Sequence, residues 1–496
     1  MRTVSSALVA ALALVATRPC AAADWPVFGH DPARTGVDAG DTILNTGNVA
    51  KLHSRWQISF GNGIVADSAP ILLDSVPYRG KTRTMLFQTA KNGETFGIDA
   101  NSGHIVWRFV THGPNITTAV PAADPSGTAI YVPGVDAMLH KLDAATGHEL
   151  SAPGFPARVT LIPQTEKDAT GLNVANGYLY ATTSGYNGDA PYYDGHVVSV
   201  RLSDGTKAVF NSLCSNIRHL LTQKSCAYSD SGIWSRGGAV VDPDSAMNGE
   251  VYVATGNGDF DANQGGKNYG DSVIGLSGGA LDFVSNYTPA DYKRLDQQDL
   301  DLGSTSPALI PRRPLSSTPL MLVQGGKDQI LRLVNRDPLP GVAGELQEIA
   351  LSWPLFATPA VWTDSLNRVW IFLGFPQAVD AYRLSVKGGV SRLKSIWRAS
   401  PGQTGGEGTS PAISNGIVFV AFDNALVALN ALNGNELWSS AMPSAGKTIG
   451  PVHWESPIVV NGWVYCADEN GHLTAYALPA TQRLRRFVPP LRMTRG

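Results

Sequence analysis

The sequence predicts an all-β protein, an eight-bladed β-propeller built from four-stranded antiparallel blades. The main observation is a recurring signature, in which a small residue and a proline open an apolar strand. The clearest copies are Ala69-Pro70-Ile71, Val120-Pro121-Ala122, Ser306-Pro307-Ala308, Thr358-Pro359-Ala360, Ser410-Pro411-Ala412 and Ser456-Pro457-Ile458. The last four prolines are 52, 52 and 46 residues apart. A repeat of about 50 residues made of short strands is typical of a propeller.

Two weaker copies, Leu172-Asn173-Val174 and Gly238-Ala239-Val240, fill the gap between the second and third clear ones and bring the count to eight openings. Each opening leads into apolar alternation with a period of two, as at 417–421, and then into Asn-Gly, Ser-Gly or Thr-Gly turns. These patterns indicate half-buried strands joined by tight hairpins. No helical periodicity of useful length competes with them.

The composition agrees with one repeat array rather than several domains. Charged residues make up 16% of the chain, and there are 52 glycines and 32 prolines, as expected for many short strands and turns. The net charge of −3 gives no attraction for nucleic acid or for an anionic membrane. We therefore expect a single propeller over residues 24–478 and no nucleic-acid partner.

Both ends of the chain carry their own predictions. Residues 1–23 have a short basic start, an apolar run too short to span a bilayer and a small-residue end, which predicts a signal peptide and a secreted or periplasmic protein. Cys20 leaves lipidation open as an alternative. Residues 479–496 contain five arginines and are expected to be a basic, disordered tail. No other segment is predicted to cross a membrane.

The positions of one strand-like segment and of the cysteines in the sequence lead to further predictions. The segment 52–60, with Trp56, is typical of an outermost strand but has no inner strands before it, so we expect it to complete the last blade and close the ring.

Cys214 and Cys226 flank a polar insertion and are expected to form a disulfide bond, since export permits one. Cys466 lies within an apolar strand and is expected to be a buried free thiol.

A family resemblance rests on the strings at 99–107 and 430–438, where a turn with a glycine leads to Trp107 and Trp438. They resemble the tryptophan-docking motif of pyrroloquinoline quinone (PQQ) propellers. The resemblance covers nearly all of residues 24–478. It implies that these tryptophans join neighbouring blades and do not take part in chemistry.

The resemblance also implies a site in the loops between residues 183 and 330. In PQQ dehydrogenases similar loops supply a stacking Trp, a calcium-binding Asn, a general-base Asp and a cation on the quinone oxygens. The matching positions here are Trp234, Asn257, Asp301 and Lys327. The chain has Asp189 and Asp194 where the family carries a calcium-binding Glu, and Asp301 would also contact the metal. Calcium would polarise the quinone carbonyl, and Asp301 would remove the alcohol proton.

Other interpretations of these residues stay open. Asn257 also suits an ordinary turn, Asp301 a structural brace and Lys327 a solvated loop. The segment 259–263 begins like a calcium loop but lacks the Gly and the final Glu. The segment 453–455, His-Trp-Glu, is a second candidate site or a packing cluster. The adjacent cysteine pair that many of these enzymes carry is missing.

Two functions therefore remain at this stage. The first is an exported PQQ-dependent dehydrogenase that oxidises an alcohol or sugar and passes electrons to an external acceptor, because the chain has no haem-attachment motif. The alternative is a non-catalytic scaffold that binds protein or polysaccharide and keeps a vestigial cofactor site. Fold alone does not choose between them. Convergence of the site residues at the channel mouth would favour the enzyme.

Overall fold

The computed structural model describes residues 24–185, 191–243 and 249–479. Within these ranges the strands form eight small sheets, which are the eight blades of the predicted propeller. Five sheets have four strands, and three carry a short additional strand. The predicted signal peptide and all of the predicted tail except Pro479 lie outside the described residues. In the described ranges no helix has the length and apolar character needed to span a bilayer.

The first four blades share an antiparallel meander that runs from the channel outwards. Blade 1 contains Ile71–Tyr78, Lys81–Thr89, Glu94–Asp99 and Ile105–Val110; blade 2 Ala122–Ala123, Ala129–Pro133, Met138–Asp143 and Ala157–Arg158; blade 3 Asn173–Ala175, Tyr178–Gly185, His196–Arg201 and Lys207–Asn211; blade 4 Val240–Val241, Val251–Ala254, Val273–Leu276 and Phe283–Thr288.

The second half of the ring follows the same plan. Blade 5 contains Ala308–Ile310, Met321–Gln324, Ile330–Asn335 and Gln347–Ala350; blade 6 Ala360–Thr363, Val369–Gly374, Val379–Lys387 and Val390–Ala399; blade 7 Ala412–Ser414, Ile417–Phe422, Ala425–Asn430 and Glu436–Ser439; blade 8 Ile458–Val460, Trp463–Ala467, His472–Ala477 and His53–Ser59. The described helices are short: Tyr292–Gln297 is α-helical, and Val49–Lys51, Ala262–Gln264, Leu302–Ser304 and Pro443–Ala445 are 3-10 turns.

The three additional strands depart from the predicted plan of four antiparallel strands. Glu166–Asp168 pairs antiparallel with the second strand of blade 3. Val37–Asp38 and Gly341–Val342 instead pair in parallel, with Ala412–Ser414 and Phe283–Thr288 respectively. Each comes from a connecting segment outside the repeated four-strand pattern, so the repeat gave no signal for it.

The predicted ring closure is confirmed. His53–Ser59 pairs antiparallel with His472–Ala477, and Trp56 lies opposite Ala475. Blade 8 therefore takes its outer strand from the beginning of the chain and its three inner strands from the end. This pairing joins the two ends of the ring without a free edge between them.

The docking role expected for the blade tryptophans is also observed. Each indole N–H donates to a backbone carbonyl of the following blade or the segment leading into it: Trp56 to Ala100 at 3.1 Å, Trp107 to Ala144 at 3.0 Å, Trp397 to Ala431 at 3.0 Å and Trp438 to Leu52 at 2.9 Å. Gly147 has φ 70° and lies directly against Trp107, where a Cβ would come within 2.5 Å of the ring. The glycine of the repeated string thus makes room for the neighbouring indole.

The small residue of each opening has a structural role at the channel. Ser410 Oγ accepts the backbone N–H of Thr358 at 2.9 Å, and Ser456 Oγ accepts that of Ser410 at 3.2 Å. Ser306 Oγ likewise accepts the N–H of Gly237 at 2.9 Å. Because the next residue is a proline with no N–H, these hydroxyls supply the hydrogen bonds that join the starts of neighbouring inner strands.

The N-terminal segment 25–38 crosses the central channel and contacts the inner strands of several blades. Its carbonyls at Pro26 and Pro32 accept the N–H groups of Ala123 in blade 2 and Val241 in blade 4, at 2.8 Å and 2.9 Å. Arg34, which is 2% exposed, donates only to backbone carbonyls: those of Phe28, Gly171, Leu172 and Gly237. The segment therefore binds blades to one another from inside the ring.

The cysteine predictions are confirmed. Cys214 and Cys226 form a disulfide bond with a Cα separation of 6.0 Å. The Tyr192 hydroxyl donates to the carbonyl of Cys226 at 2.8 Å, which links the bridged loop to the chain after blade 3's second strand. Cys466 is a buried free thiol.

Candidate functional site

The turns between second and third strands, and the segments that lead into inner strands, meet at one end of the channel. They enclose a cavity of about 350 Å³. Lys91 and Lys327 come from equivalent turns of blades 1 and 5, while Asp67, Trp234 and His453 precede the inner strands of blades 1, 4 and 8. Residues from separate repeats are thereby brought to one pocket.

Asp301 is the most buried carboxylate lining this cavity apart from Asp67, at 3% exposure. Its Oδ1 accepts the backbone N–H of Asn257 at 2.8 Å, and its Oδ2 forms an ion pair with Lys327 Nζ. The same ammonium donates to Asp299 Oδ1 at 2.7 Å. Gly256 lets Asp301 approach, since a Cβ there would come within 2.3 Å of Oδ1.

Burial and charge have opposite effects on the pKa values of Asp301 and Lys327. Burial raises the pKa of Asp301 above its usual value, although Lys327 opposes the rise. Burial acts to lower the pKa of Lys327, but the negative charge of Asp301 outweighs it and the pKa of Lys327 is raised. The carboxyl group is therefore a better proton acceptor than an exposed aspartate, and the lysine stays charged.

Trp234 forms an aromatic wall beside the ion pair. Lys327 Nζ lies 5.4 Å from the centroid of the Trp234 ring. The rings of Trp454 and Phe356 pack against Trp234 with centroids 5.8 Å and 6.1 Å away. Trp234, Asp301 and Lys327 thus line one cavity and Asn257 reaches Asp301 through its backbone N–H, while the functional roles of these residues stay predictions.

Of the two acidic residues expected to complete a calcium site, Asp194 is not part of this group. Asp189 lies outside the described residues. Asp194 is fully buried and its backbone N–H donates to Glu166 Oε2 at 3.0 Å, so it belongs with Glu166. Burial, strengthened by the charge of Glu166, raises the pKa of Asp194 to about 8. In the described part of the chain no three His, Cys, Asp or Glu side chains form a metal-binding group.

The pair of Glu166 and Asp194 leads to a pH prediction. Burial raises the pKa of Glu166 from 4.5 to about 8, so the folded state keeps a proton that the unfolded state loses. The contribution of Glu166 to the free energy of unfolding is then greatest below about pH 4.5. It falls towards pH 8 by up to about 1.4 kcal/mol per pH unit. Glu166→Gln is expected to flatten this slope in urea unfolding measured from pH 5 to 8. The exposed variant Asp282→Asn should keep the wild-type slope; an unchanged slope in Glu166→Gln would contradict the assignment.

The sequence analysis missed a cationic wall on the other side of the cavity. Lys91 forms an ion pair with Asp67 at 3.0 Å. Lys167, on the additional strand of blade 3, also lines the cavity, and burial among other cations lowers its pKa to about 8. Arg236 lies beneath Trp454, with its guanidinium carbon 3.2 Å from the ring centroid. One available signal was that Lys91 occupies the same turn of its blade as Lys327.

Arg236 carries unused hydrogen-bonding capacity. It is 4% exposed, and one of its terminal nitrogens donates to the carbonyl of His453 at 2.8 Å. Its Nε and other terminal nitrogen have no hydrogen-bond partner among the described residues. A buried guanidinium with unused donors favours an anionic group nearby.

The segment 453–455 combines packing with polar contacts. The Trp454 indole N–H donates to His453 Nε2 at 2.7 Å, and His453 Nδ1 faces Asp67 at 3.3 Å. Glu455 is fully buried and its Oε2 accepts the N–H of His453. Both His453 and Trp454 line the same cavity, so this segment extends the first candidate site and is not a separate one.

The calcium-like segment at 259–263 uses its Asp261 carboxylate to bind Asn268. Asp261 Oδ1 accepts the N–H of Asn268 at 2.9 Å, and Oδ2 accepts the side-chain amide of the same residue at 2.8 Å. The carboxylate therefore braces the loop.

Comparisons with known proteins agree with this fold. A PQQ-repeat family model described as outer membrane protein assembly factor BamB matches residues 388–483. Quinohemoprotein alcohol dehydrogenase ADHIIG from Pseudomonas putida HK5 is 13% identical, with a TM-score of 0.64 over 94% of this chain and 82% of that one. A europium-containing methanol dehydrogenase is 13% identical, with a TM-score of 0.64 over 92% and 98%. No curated protein matches.

A non-enzymatic structure is similar as well. BamB from Moraxella catarrhalis is 12% identical, with a TM-score of 0.52 over 86% of this chain and 99% of that one. The class defined by these findings is the eight-bladed β-propeller. The PQQ-repeat model over residues 388–483 and the similar folds agree with the resemblance expected from the tryptophan-docking strings.

Proposed function

We propose that this protein is an exported PQQ-dependent oxidoreductase that oxidises an alcohol or sugar and transfers electrons to an external acceptor. The observation that carries the proposal is the cavity itself, where Trp234 and the Asp301–Lys327 pair face a wall of further cations. A scaffold has no need for a buried proton acceptor, an indole wall and unpaired cations around one pocket.

The residues fit the chemistry of PQQ. This cofactor is a planar aromatic quinone with three carboxylate groups, so it needs an aromatic surface and several cations. Trp234 offers the surface. Lys91 and Lys167, which line the cavity, would bind the carboxylates, and Lys327 would face the quinone oxygens. A cavity of about 350 Å³ is in the size range of small-molecule sites.

When bound, PQQ would supply a two-electron acceptor. Asp301 would accept the proton of the substrate hydroxyl, since burial raises its pKa and Asn257 fixes its orientation through the backbone N–H. Lys327 would stabilise negative charge that develops on neighbouring oxygens. Trp234 and Trp454 would exclude water from one side of the pocket.

Calcium does not fit the contacts of the described residues. Calcium needs six to eight oxygen ligands, whereas the Lys327 ammonium already pairs with Asp301 Oδ2 and the described residues contain no group of three potential metal ligands. Asp194 faces Glu166. No step is therefore assigned to calcium.

The test is titration of the purified protein with PQQ, followed by quenching of tryptophan fluorescence and by dye reduction with a panel of alcohols and sugars. Lys167→Met is expected to weaken PQQ binding by about tenfold or more, because it removes a half-buried cation that lines the cavity. The exposed Lys387→Met should bind like the wild type. Absence of both PQQ binding and dye reduction in the wild type would overturn the proposal.

The second candidate is a non-catalytic scaffold that binds a protein or polysaccharide. It is supported by the BamB description of the family model over residues 388–483 and by the similar fold of BamB itself. This candidate predicts that the cavity variants leave partner binding unchanged, so the same Lys167→Met protein separates the two functions.

A further inference from the structure

We propose that the Lys327 ammonium is the resident cation of the acidic site formed by Asp299 and Asp301, and that it excludes a divalent metal ion from these carboxylates. The proposal rests on the contacts of Lys327 and does not depend on whether PQQ binds.

Lys327 is held at Asp301 by both its backbone and its side chain. Its backbone N–H donates to the carbonyl of Asp301 at 3.0 Å, and its Nζ pairs with Oδ2 of the same residue. Nζ also donates to Asp299 Oδ1 at 2.7 Å and lies over the Trp234 ring. These contacts fix the charge between the two carboxylates, and the side chain is only 21% exposed.

A metal ion would need the space that the ammonium fills. Calcium binds carboxylate oxygens at about 2.3–2.6 Å, so a calcium ion bridging Asp299 and Asp301 would lie against Nζ. Two positive charges a few Å apart in a partly buried site repel strongly. The Asp301 Oδ1 is not an alternative ligand, because it already accepts the Asn257 N–H.

Removing the Lys327 ammonium would remove the charge that repels a metal ion from these carboxylates. Asp299 and Asp301 would then be two neighbouring carboxylates with no cation between them, beside an indole. Such a pair attracts hard cations and raises its own proton affinity. Lys327→Met keeps the length and apolar stem of the side chain while deleting the charge, so it isolates the contribution of the ammonium.

The experiment uses the full-length protein without PQQ and terbium as a luminescent analogue of calcium. Terbium emission sensitised by tryptophan reports binding close to Trp234. We expect no saturable, Asp301-dependent signal in the wild type below about 1 mM terbium. Lys327→Met should bind at least about tenfold more tightly, and the second change Asp301→Asn should remove that gain. Calcium should displace the terbium.

Two controls make the outcome decisive. Lys327→Arg keeps the charge and should exclude terbium like the wild type, and the surface variant Lys387→Met should also behave like the wild type. If the wild type binds terbium or calcium saturably and Asp301→Asn abolishes that binding, the proposal is wrong, whatever Lys327→Met does. The comparison of wild type with Asp301→Asn decides the matter even if Lys327→Met does not fold by circular dichroism.

Discussion

Replacing Asp242 with alanine is expected to lower the free energy of unfolding by about 3–5 kcal/mol, because it removes a carboxylate that binds a buried arginine through two hydrogen bonds. Asp242 accepts two hydrogen bonds from Arg336, at 2.8 Å to Oδ2 and 3.0 Å to Oδ1. Both side chains are almost fully buried. Asp242 follows the inner strand of blade 4 and Arg336 the third strand of blade 5, so the pair joins two blades.

The other hydrogen bonds of Arg336 explain why the expected decrease in the free energy of unfolding is large. They bind the carbonyls of Ile310 and Met321, which hold the guanidinium inside blade 5 when its partner is removed. Urea unfolding followed by tryptophan fluorescence measures the change. The matched control is Asp282→Ala, an acidic residue with 73% side-chain exposure, which should unfold at the wild-type midpoint. Equal midpoints for the two variants would show that the buried pair contributes little.

Asp301→Asn is expected to reduce turnover in the PQQ-loaded protein by about 10²–10⁴-fold, as for loss of a general base. The amide oxygen can still accept the Asn257 N–H, so the loop should keep its shape. We therefore expect nearly unchanged PQQ affinity and KM, with the loss confined to kcat. Steady-state dye reduction on the substrate that responds in the panel measures both constants.

The control for this variant is Asp296→Asn, which changes an exposed residue of the short helix Tyr292–Gln297. Its turnover should equal that of the wild type. A kcat for Asp301→Asn within a factor of about three of the wild type would remove Asp301 from the reaction. Loss of PQQ binding in that variant would instead assign it a structural role in the pocket.

Local repetition explains why most of the fold was predictable. Six of the eight openings place one residue before a proline, and the structure uses the hydroxyls of Ser306, Ser410 and Ser456 to link the starts of neighbouring blades. The docking string is equally local, because Gly147 and Trp107 occupy fixed positions in successive repeats. The outer strand at 53–59 was identifiable because it had no inner strands of its own.

Only part of the candidate site was predictable, because some of its residues lie outside the local repeat pattern. Asn257, Asp301 and Lys327 follow the order known from the family, so the resemblance found them. Lys167 lies on a strand outside the repeat plan, and Arg236 depends on contacts with Trp454 more than 200 residues away in the sequence. Contacts of this kind are set by the curvature of the whole ring and leave no local pattern.

The segment 25–38 has a consequence for access. Arg34 in its middle donates to the carbonyls of Gly171 and Gly237. These residues lie in the segments before inner strands that also carry Ala169 and Trp234 to the cavity, so the segment crosses the channel next to the candidate site. The propeller therefore has one open rim, at the candidate site, instead of a channel that is open at both ends. Substrate, cofactor and any electron-accepting partner would all have to share that rim, so a bound partner and an entering substrate would compete for the same opening.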